Sequence, residues 1–335
     1  INFLKKKNNY KISCIAMFPA NKIFSKILKD NNDFYELKKK KYLKNTLIKI
    51  SQRLISKNRP KLIITGLSGP EKGIDEALIY CAKKEKIPSF SYQDFCGDVN
   101  LGFGALPDYY LVTDRYSSMI TKKIAQKKTI ELGFINYNKR ITFKQNAKKK
   151  KYKNILFCGQ PLHHLSSYIK TLKELFQTLK ILDKNFQITY RPHPKEEITN
   201  VNKILNLAIK NSINLKLSIR KNINYDLIRS EIILTCYSSS IMDFSFLNFS
   251  SKKAIGSSIC LMYEPGIQQY YKNYTKLDFL PYEKMNLTKV IYKKKLLKKE
   301  LESLFYEKYK NSQWLASKKI FSKTKKNLDN FDLFI

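Results

Sequence analysis

The sequence has no long apolar segment and no metal-binding motif. No apolar run approaches the ~18 residues that a membrane-spanning helix needs, which argues against an integral membrane protein. The first residue is Ile1 rather than Met, so we expect the N-terminus to be incomplete, and the residues after it show no signal peptide.

Paired cysteines are also missing. None of the six cysteines forms a C-x-x-C pair, and His163, His164 and His193 do not have zinc-finger spacing. Most of the cysteines lie in apolar stretches, where a free thiol behaves as a small core residue. We therefore expect a reduced, cytoplasmic protein without a bound metal or other cofactor.

Acidic residues and arginine are scarce. The chain carries 64 basic and 27 acidic residues, for a net charge of +37; seven of the basic residues are Arg, so 64 − 7 = 57 are Lys. Lysine lacks the bidentate geometry with which Arg reads bases and phosphates. The charge has three interpretations: solvated lysines from AT-rich codons, polyanion binding, or attraction to an anionic inner-membrane surface. No lysine cluster is interleaved with aromatics as in RNA-binding modules, so we expect no specific nucleic-acid partner.

The length and the hydrophobic pattern predict an α/β protein. A chain of 335 residues, 43% of them hydrophobic, is long enough for two domains. Short apolar runs alternate with longer amphipathic segments, as in a parallel sheet with crossover helices. The predicted parts are an N-terminal domain (1–136), a polar Lys-rich linker (137–153), a C-terminal domain (154–292) and a basic helical tail (293–335).

The predicted strands end in loops that carry polar side chains. In the first half we predict a strand over 11–18 and a long helix over 35–57, before further strands and helices. Open α/β sheets bind ligands at the carboxyl ends of their strands, so two such halves predict a central cleft that holds the site.

The segment Tyr237-Ser238-Ser239-Ser240 joins a predicted strand to a predicted helix. The first N–H groups of a helix have no partner within it, and serine hydroxyls add further donors. Together with the helix dipole they predict a pocket for a phosphate. Simple capping by one serine is the alternative.

Two other loops follow predicted strands in the second half. In Arg191-Pro192-His193-Pro194 the prolines stiffen the chain, so that His193 and Arg191 can contact a phosphate; an ordinary turn is the alternative. In Gly159-Gln160-Pro161 the glycine permits close approach to a ligand, and Gln160 can bind a base or sugar, although an ordinary loop explains it equally well. Glu264 is a weaker candidate for a ribose hydroxyl.

The first half offers acceptor-side candidates. Gly66, Ser68 and Gly69 follow a strand in a loop that lacks the lysine of a phosphate-binding P-loop. Asp94, at a strand end, is the preferred general base and Asp98 the second candidate, with a turn or capping role as the alternative. We interpret Asp75 and Glu76 as structural residues that favour a helix N-terminus.

Together these motifs resemble GT-B glycosyltransferases of bacterial surface-polysaccharide synthesis, including capsule Kdo transferases, sialyl- and polysialyltransferases, and CDP-glycerol glycerophosphotransferases. The resemblance rests on His193-Pro194 after a strand, on Ser238-Ser239 before a helix and, more loosely, on Gln160-Pro161. It implies a GT-B-like fold of two Rossmann-like domains that face a central cleft, with the His-Pro and Ser-Ser elements holding the donor nucleotide.

The resemblance also implies that an acidic loop of the first domain supplies the general base, which Asp94 or Asp98 matches by position. The sialyltransferases place glycine directly after their acidic pair, whereas here Phe95 and Cys96 precede Gly97.

The sequence thus predicts a metal-independent transferase that moves a sugar or polyol phosphate from a CMP-, CDP- or UDP-linked donor to a glycan or lipid-linked acceptor in capsule synthesis. The Lys-rich tail over 293–326 is a candidate for peripheral contact with the inner membrane. One alternative is a hydrolysing nucleotide-sugar 2-epimerase of the same fold. The other is a basic nucleic-acid-binding protein without catalysis.

Overall fold

The structure is a computed structural model. It describes residues 11–17, 20–27, 33–38, 41–68, 73–94, 96–137, 152–182, 184–275 and 277–330. The chain divides into two compact units, Ile1–Leu132 (unit 1) and Gly133–Ile335 (unit 2). Most of the predicted linker, and Gly69 of the acceptor-side loop, lie outside the described residues.

Unit 1 contains two parallel sheets. Strands β1 and β2 form a pair, and β3 to β6 form a four-stranded sheet in sequence order. The elements are β1 (Cys14–Met17), α1 (Asn21–Ile27), β2 (Phe34–Leu37), α2 (Lys44–Asn58), β3 (Ile63–Thr65), α3 (Ile74–Lys84), β4 (Ser89–Tyr92), β5 (Tyr109–Val112), α4 (Arg115–Ala125) and β6 (Lys128–Glu131).

The long helix predicted over 35–57 is wrong in its first part. Residues Phe34–Leu37 form β2, which pairs in parallel with β1 from Cys14 opposite Phe34 to Met17 opposite Leu37, and α2 begins only at Lys44. A short apolar segment fits a helix and a strand equally well, so that periodicity cannot distinguish them. The partner strand β1 supplies the hydrogen bonds that decide the outcome.

The helices of unit 1 follow their apolar spacing. Leu47, Ser51 and Ile55 are buried on α2 at intervals of four residues, which places them on one face of the helix. Helix α4 begins at Arg115 because the Asp114 carboxylate accepts hydrogen bonds from the N–H groups of Tyr116 and Ser117.

Unit 2 contains one six-stranded parallel sheet with the strand order β12-β11-β10-β7-β8-β9. Its elements are a 3₁₀ turn (Ile135–Tyr137), β7 (Lys153–Cys158), α5 (Ser166–Ile181), β8 (Phe186–Arg191), α6 (Ile198–Lys210), β9 (Leu215–Leu217), α7 (Asn224–Arg229), β10 (Ile232–Thr235), α8 (Ser240–Ser250), β11 (Ser257–Leu261), α9 (Pro265–Thr275), α10 (Pro281–Lys284), β12 (Lys289–Ile291), a second 3₁₀ turn (Lys294–Leu296), α11 (Leu297–Phe305) and α12 (Lys310–Asn330).

The α/β class and the parallel sheets are confirmed. All residues of β10 and β11 are buried, as expected for central strands that helices cover on both faces. The chain starts at β7, adds strands on one side as far as β9, and then crosses back to β10 on the other side of β7. The direction of strand addition therefore reverses between β7 and β10, and α/β sheets bind their ligands at such a switch point.

The described part of the predicted tail packs against the rest of unit 2. Leu297, Leu301 and Leu304 of α11 are buried. On α12, the side chain of Gln313 accepts a hydrogen bond from the N–H of Ser258 (2.8 Å) and donates one to its carbonyl (3.0 Å). Phe321 is buried among aromatic rings that include Phe134 and Phe246.

Candidate functional site

Gln160 joins the loops that follow β7 and β10, the two strands at the switch point of the sheet. Its Oε1 accepts hydrogen bonds from the N–H of Tyr237 (2.9 Å) and from Thr235 Oγ1 (3.4 Å), so the loop after β7 is tied to the loop after β10. The backbone N–H of Gln160 donates to the hydroxyl of buried Tyr168 (3.1 Å). The Gln160 amino group has no hydrogen bond among the described residues and remains available to a ligand.

The three serines before α8 differ in their surroundings. Ser238 Oγ accepts a hydrogen bond from the N–H of Ser240 (3.2 Å), which is a capping role. Ser239 is exposed and its hydroxyl makes no capping bond. Ser240 is buried, and its hydroxyl lies against the Cys158 thiol, whose pKa burial raises to about 12. Within the described residues, no group accepts from the N–H groups of Ser238 and Ser239, as in an anion-binding helix N-terminus.

His193 is oriented by its own loop. The N–H of Lys195 donates to His193 Nδ1 (3.1 Å), so a neutral ring carries its proton on Nε2. Burial lowers the pKa of His193, the Glu196 carboxylate raises it and Lys195 lowers it further. His193 is therefore neutral near pH 7 and presents an Nε2–H donor, which forms no hydrogen bond with the described residues.

The sequence interpretation missed Glu196. Its side chain is 0% exposed and accepts hydrogen bonds from Tyr190 OH (2.5 Å), from the N–H of His193 (2.5 Å) and from His163 Nε2. These donors come from β8, from the loop after β8 and from the loop after β7. The neighbouring Glu197 looks identical in sequence, so no sequence signal could have identified which glutamate is buried.

The contact between Tyr190 and Glu196 explains why residue 159 is a glycine. A Cβ atom at this position would lie 2.3 Å from Tyr190 OH and 2.6 Å from Glu196 Oε2, far below van der Waals contact. The absent side chain therefore makes room for Tyr190 and Glu196. Close approach of a ligand to this glycine remains a prediction.

Arg191 is committed to an internal ion pair. Its Nη1 lies 2.5 Å from Asp226 Oδ2 and donates to the Arg220 carbonyl (3.0 Å), while Nη2 donates to the Lys221 carbonyl (3.2 Å). Arg191 and Asp226 are only 15% and 9% exposed. These contacts hold the loop after β9 against β8, so we interpret Arg191 as a positioning residue, and its predicted phosphate contact remains a prediction.

Glu264 lies at the same edge of the sheet, just before α9. Its side chain is nearly buried, and its Oε2 lies 3.0 Å from Lys170 Nζ on α5. A cavity of about 310 Å³ lies nearby, beyond the carboxyl ends of β11 and β12, and its lining includes Gln269, Lys272 and Asp278. The predicted contact of Glu264 with a ribose is not established by this ion pair and remains a prediction.

In unit 1, two carboxylates hold the loop after β3. Asp75 accepts hydrogen bonds from the Gly66 N–H (3.1 Å) and from Ser68 Oγ (2.8 Å). Glu76 accepts one from the Ser68 N–H (3.0 Å). Burial raises the pKa of both carboxyl groups. Asp75 and Glu76 thus have a structural role, and Ser68 directs its hydroxyl to Asp75 in this structure.

The two base candidates follow β4. Asp94 is exposed, whereas Asp98 is half-buried. Burial raises the pKa of Asp98, and the nearby charge of Asp94 raises it further. Gln93 fixes this loop by donating to the Asp98 carbonyl (2.5 Å) and accepting from Thr121 Oγ1 (2.8 Å). A carboxylate with a raised pKa is the better proton acceptor, so this pKa shift favours Asp98 over Asp94, and a role for either as the base remains a prediction.

Asp243, in the first turn of α8, gives a pH-dependent prediction. Burial raises its pKa, and a hydrogen bond from Tyr137 OH (2.8 Å) offsets part of that rise. The native state therefore binds this proton more tightly than the unfolded chain. The resulting stabilisation is present below the usual pKa of 3.8 and is lost as pH rises through the native value. Asparagine does not titrate, so the free energy of unfolding of Asp243→Asn minus that of wild type should increase from about pH 4 to about pH 7, as measured by urea unfolding. An unchanged difference at the two pH values would refute this prediction.

The described residues contain neither a metal-ligand cluster nor a membrane-spanning helix. No group of three His, Cys, Asp or Glu side chains in this part of the chain is arranged to hold a metal ion. None of the helices within the described ranges is long and apolar enough to span a membrane.

Sequence comparison identifies no relative: no family model matches the chain, and no curated protein sequence does. Solved structures do match. A glycosyltransferase from Rickettsia africae has a TM-score of 0.65 at 10% identity, over 99% of this chain and 91% of that one. A UDP-GlcNAc 2-epimerase from Neisseria meningitidis, bound to UDP-GlcNAc, has a TM-score of 0.63 at 14% identity, over 100% and 95%.

MurG from Acinetobacter baumannii is similar over 99% of this chain and 94% of its own, with a TM-score of 0.58 at 12% identity. At such identities the likeness concerns the fold alone. The chain therefore has the predicted GT-B-like fold, which it shares with glycosyltransferases and with nucleotide-sugar 2-epimerases.

Proposed function

We propose that this protein is a glycosyltransferase that uses a nucleotide-activated sugar, with the donor bound by unit 2. The observation that carries the proposal is the convergence of two loops at one sheet edge. The His193 loop follows β8 and the serine turn follows β10, and β7 lies between these strands. Because neighbouring strands lie ~4.8 Å apart, the two loops start about 10 Å from each other, within reach of one nucleotide diphosphate.

The polar groups of this edge suit a departing nucleotide phosphate. His193 offers a neutral Nε2–H, and α8 offers the N–H groups of Ser238 and Ser239 with the positive end of its dipole. Fixed donors of this kind stabilise negative charge as it develops on the leaving group. In the reaction, an acceptor hydroxyl loses its proton, its oxygen bonds to the sugar carbon, and the bond from that carbon to the nucleotide phosphate breaks. We assign the proton acceptor to unit 1, with Asp98 preferred and Asp94 as the second candidate.

The acceptor is proposed to be a glycan or a lipid-linked saccharide of a bacterial capsule or other surface polysaccharide. The lysines of the tail segment 293–326 are proposed to contact an anionic membrane that carries such an acceptor. Glu264 and the cavity beside it are proposed to hold the nucleoside or sugar of the donor.

Hydrolysing epimerisation is the second candidate function. It is favoured by the likeness to the Neisseria enzyme and to a UDP-GlcNAc 2-epimerase from Methanocaldococcus jannaschii, which has a TM-score of 0.56. An epimerase needs no acceptor. Incubation with the nucleotide-activated sugar and no acceptor separates the two functions. An epimerase converts the nucleotide-activated sugar by itself, whereas a transferase needs an added acceptor.

Substitution of His193 tests the donor site. A hydrogen bond to a charged group contributes about 1.5–3 kcal/mol, so His193→Ala should bind UDP, CDP or CMP roughly 10–100-fold more weakly than wild type in calorimetric titration. His164→Ala is the matched control, because His164 is exposed and packs edge-on against Tyr270. It should bind as wild type does.

A screen of these nucleotides by thermal shift comes first, since a ligand of the native state raises the melting temperature. If none of these nucleotides raises the melting temperature, the proposed donor site is wrong. Unchanged affinity in His193→Ala would remove His193 from the site. Binding of nucleic acid that falls steeply with salt and survives His193→Ala would instead support the nucleic-acid alternative.

A further inference from the structure

The buried carboxylate of Glu196 is the meeting point of the two loops that follow β7 and β8. It accepts from His163 Nε2 in the first loop and from the His193 N–H (2.5 Å) in the second. A third donor, Tyr190 OH, comes from the end of β8 (2.5 Å). Burial raises the pKa of Tyr190, so this hydroxyl keeps its proton and acts as a donor.

All three hydrogen-bond partners of this carboxylate among the described residues are donors, which defines the protonation of the cluster. Backbone N–H and phenolic O–H groups donate here, and the His163 ring must carry its proton on Nε2 to bond to Glu196. His163 is 8% exposed, and its Nδ1 has no partner among the described residues. The ring packs edge-on against Tyr168, and its one hydrogen bond among the described residues is the bond from Nε2 to Glu196.

We propose that Glu196 is the positioning residue of the donor site, whose carboxylate couples the loop after β7 to the His193 loop so that the His193 Nε2–H is aimed at the donor phosphate. This inference rests on the proposed function. Glu196 is itself buried and reaches no ligand directly, so its influence on binding passes through His193.

A carboxylate is required because an amide cannot accept at both ends. With glutamine, the carbonyl oxygen can take the position of Oε1, which receives two donors. The amide NH₂ would then face the His193 N–H, donor against donor. The His193 N–H would lose its partner and its loop would lose its anchor. Aspartate keeps both acceptor oxygens but is one methylene shorter.

Nuclear magnetic resonance of wild type tests the geometry without any activity. Selective ¹⁵N labelling of histidine yields three backbone amide signals, since the chain contains three histidines. We expect the backbone amide of His193 and the ring Nε2–H of His163 to be protected from hydrogen exchange, and the ring N–H of exposed His164 to exchange freely. Rapid exchange of both protected groups would overturn the proposed cluster.

A double-mutant cycle tests the positioning role. With whichever of UDP, CDP and CMP raises the melting temperature of wild type, we expect Glu196→Gln and His193→Ala each to weaken binding about 10-fold. The double variant should then bind about 10-fold rather than about 100-fold more weakly than wild type. A residue that supports only the overall fold would give additive losses. Glu197→Gln, at the exposed neighbour, should bind UDP as wild type does.

The outcomes are separable. If wild type binds no nucleotide, both the proposed function and this inference fail. If wild type binds UDP, CDP or CMP but the cycle with that nucleotide is additive, or Glu196→Gln binds it normally, only the inference fails. Should Glu196→Gln not fold, the cycle is run with Glu196→Asp, for which we expect about threefold weaker binding that is again not additive with His193→Ala.

Discussion

Gly159→Ala is expected to weaken nucleotide binding about 10-fold or more and to destabilise unit 2. The new methyl group would lie 2.3 Å from Tyr190 OH and 2.6 Å from Glu196 Oε2. Tyr190 is fully buried and cannot rotate away, and movement of Glu196 would break its hydrogen bond to the His193 N–H. Overpacking costs about 1–3 kcal/mol, and each buried donor left without a partner costs a further ~1–3 kcal/mol. Calorimetric titration with UDP and a thermal melt measure the two effects.

Gly66→Ala is the matched control for this substitution. Its Cβ would meet Asp75 Oδ1 at 3.8 Å, which is ordinary contact. Gly66, like Gly159, follows a parallel strand, so the two variants differ mainly in available space. We expect Gly66→Ala to melt within about 2 °C of wild type. Normal stability of Gly159→Ala would mean that the Tyr190–Glu196 cluster is arranged differently.

Asp226→Ala is expected to cost about 3–5 kcal/mol of unfolding free energy, because it leaves the Arg191 guanidinium buried without its counter-charge. Arg191 would keep the carbonyls of Arg220 and Lys221, which bear no net charge. Ser218 Oγ would also lose its acceptor, since it donates to Asp226 Oδ2 (2.6 Å). At ~2–4 °C per kcal/mol for a unit of this size, the melting temperature should fall by roughly 6–20 °C.

The matched control for Asp226→Ala is Glu307→Gln, which removes the exposed ion pairs of Glu307 in the same unit. Glu307 lies 2.7 Å from Lys153 and 3.1 Å from Lys310, but its side chain is 47% exposed. Water screens such pairs, so Glu307→Gln should cost at most about 1 kcal/mol. Equal losses for Asp226→Ala and Glu307→Gln would show that burial of the Arg191–Asp226 pair does not determine its contribution.

The sequence predicted which polar loops follow strands better than it predicted the contacts of their side chains. His193 and Ser238 were chosen because each follows a segment that the sequence pattern predicts to be a strand, and the structure places both at one sheet edge. The roles of their neighbours were harder to assign. Arg191 looked like a phosphate ligand, yet its guanidinium is committed to Asp226, 35 residues away along the chain.

Missing information about distant partners also explains why the helix predicted over 35–57 was wrong in its first part. The apolar residues of Phe34–Leu37 fit either structure, and the strand forms because β1 lies beside it. For Glu196 the missing information was again a distant partner, since His163 lies 33 residues earlier in the chain. A local pattern carries propensity and periodicity, whereas burial of a polar side chain depends on which segments meet around it.

By itself, then, the sequence determined the α/β class and the placement of polar loops after the strands, because both depend on short-range alternation of apolar and polar residues. The tertiary structure alone decided which loops became neighbours. Strand order places β7 between β8 and β10, and the hydrogen bonds of Gln160 and Glu196 join the loops that follow these three strands. Those contacts join segments that lie 33 and 77 residues apart in the chain, so no local pattern could encode them.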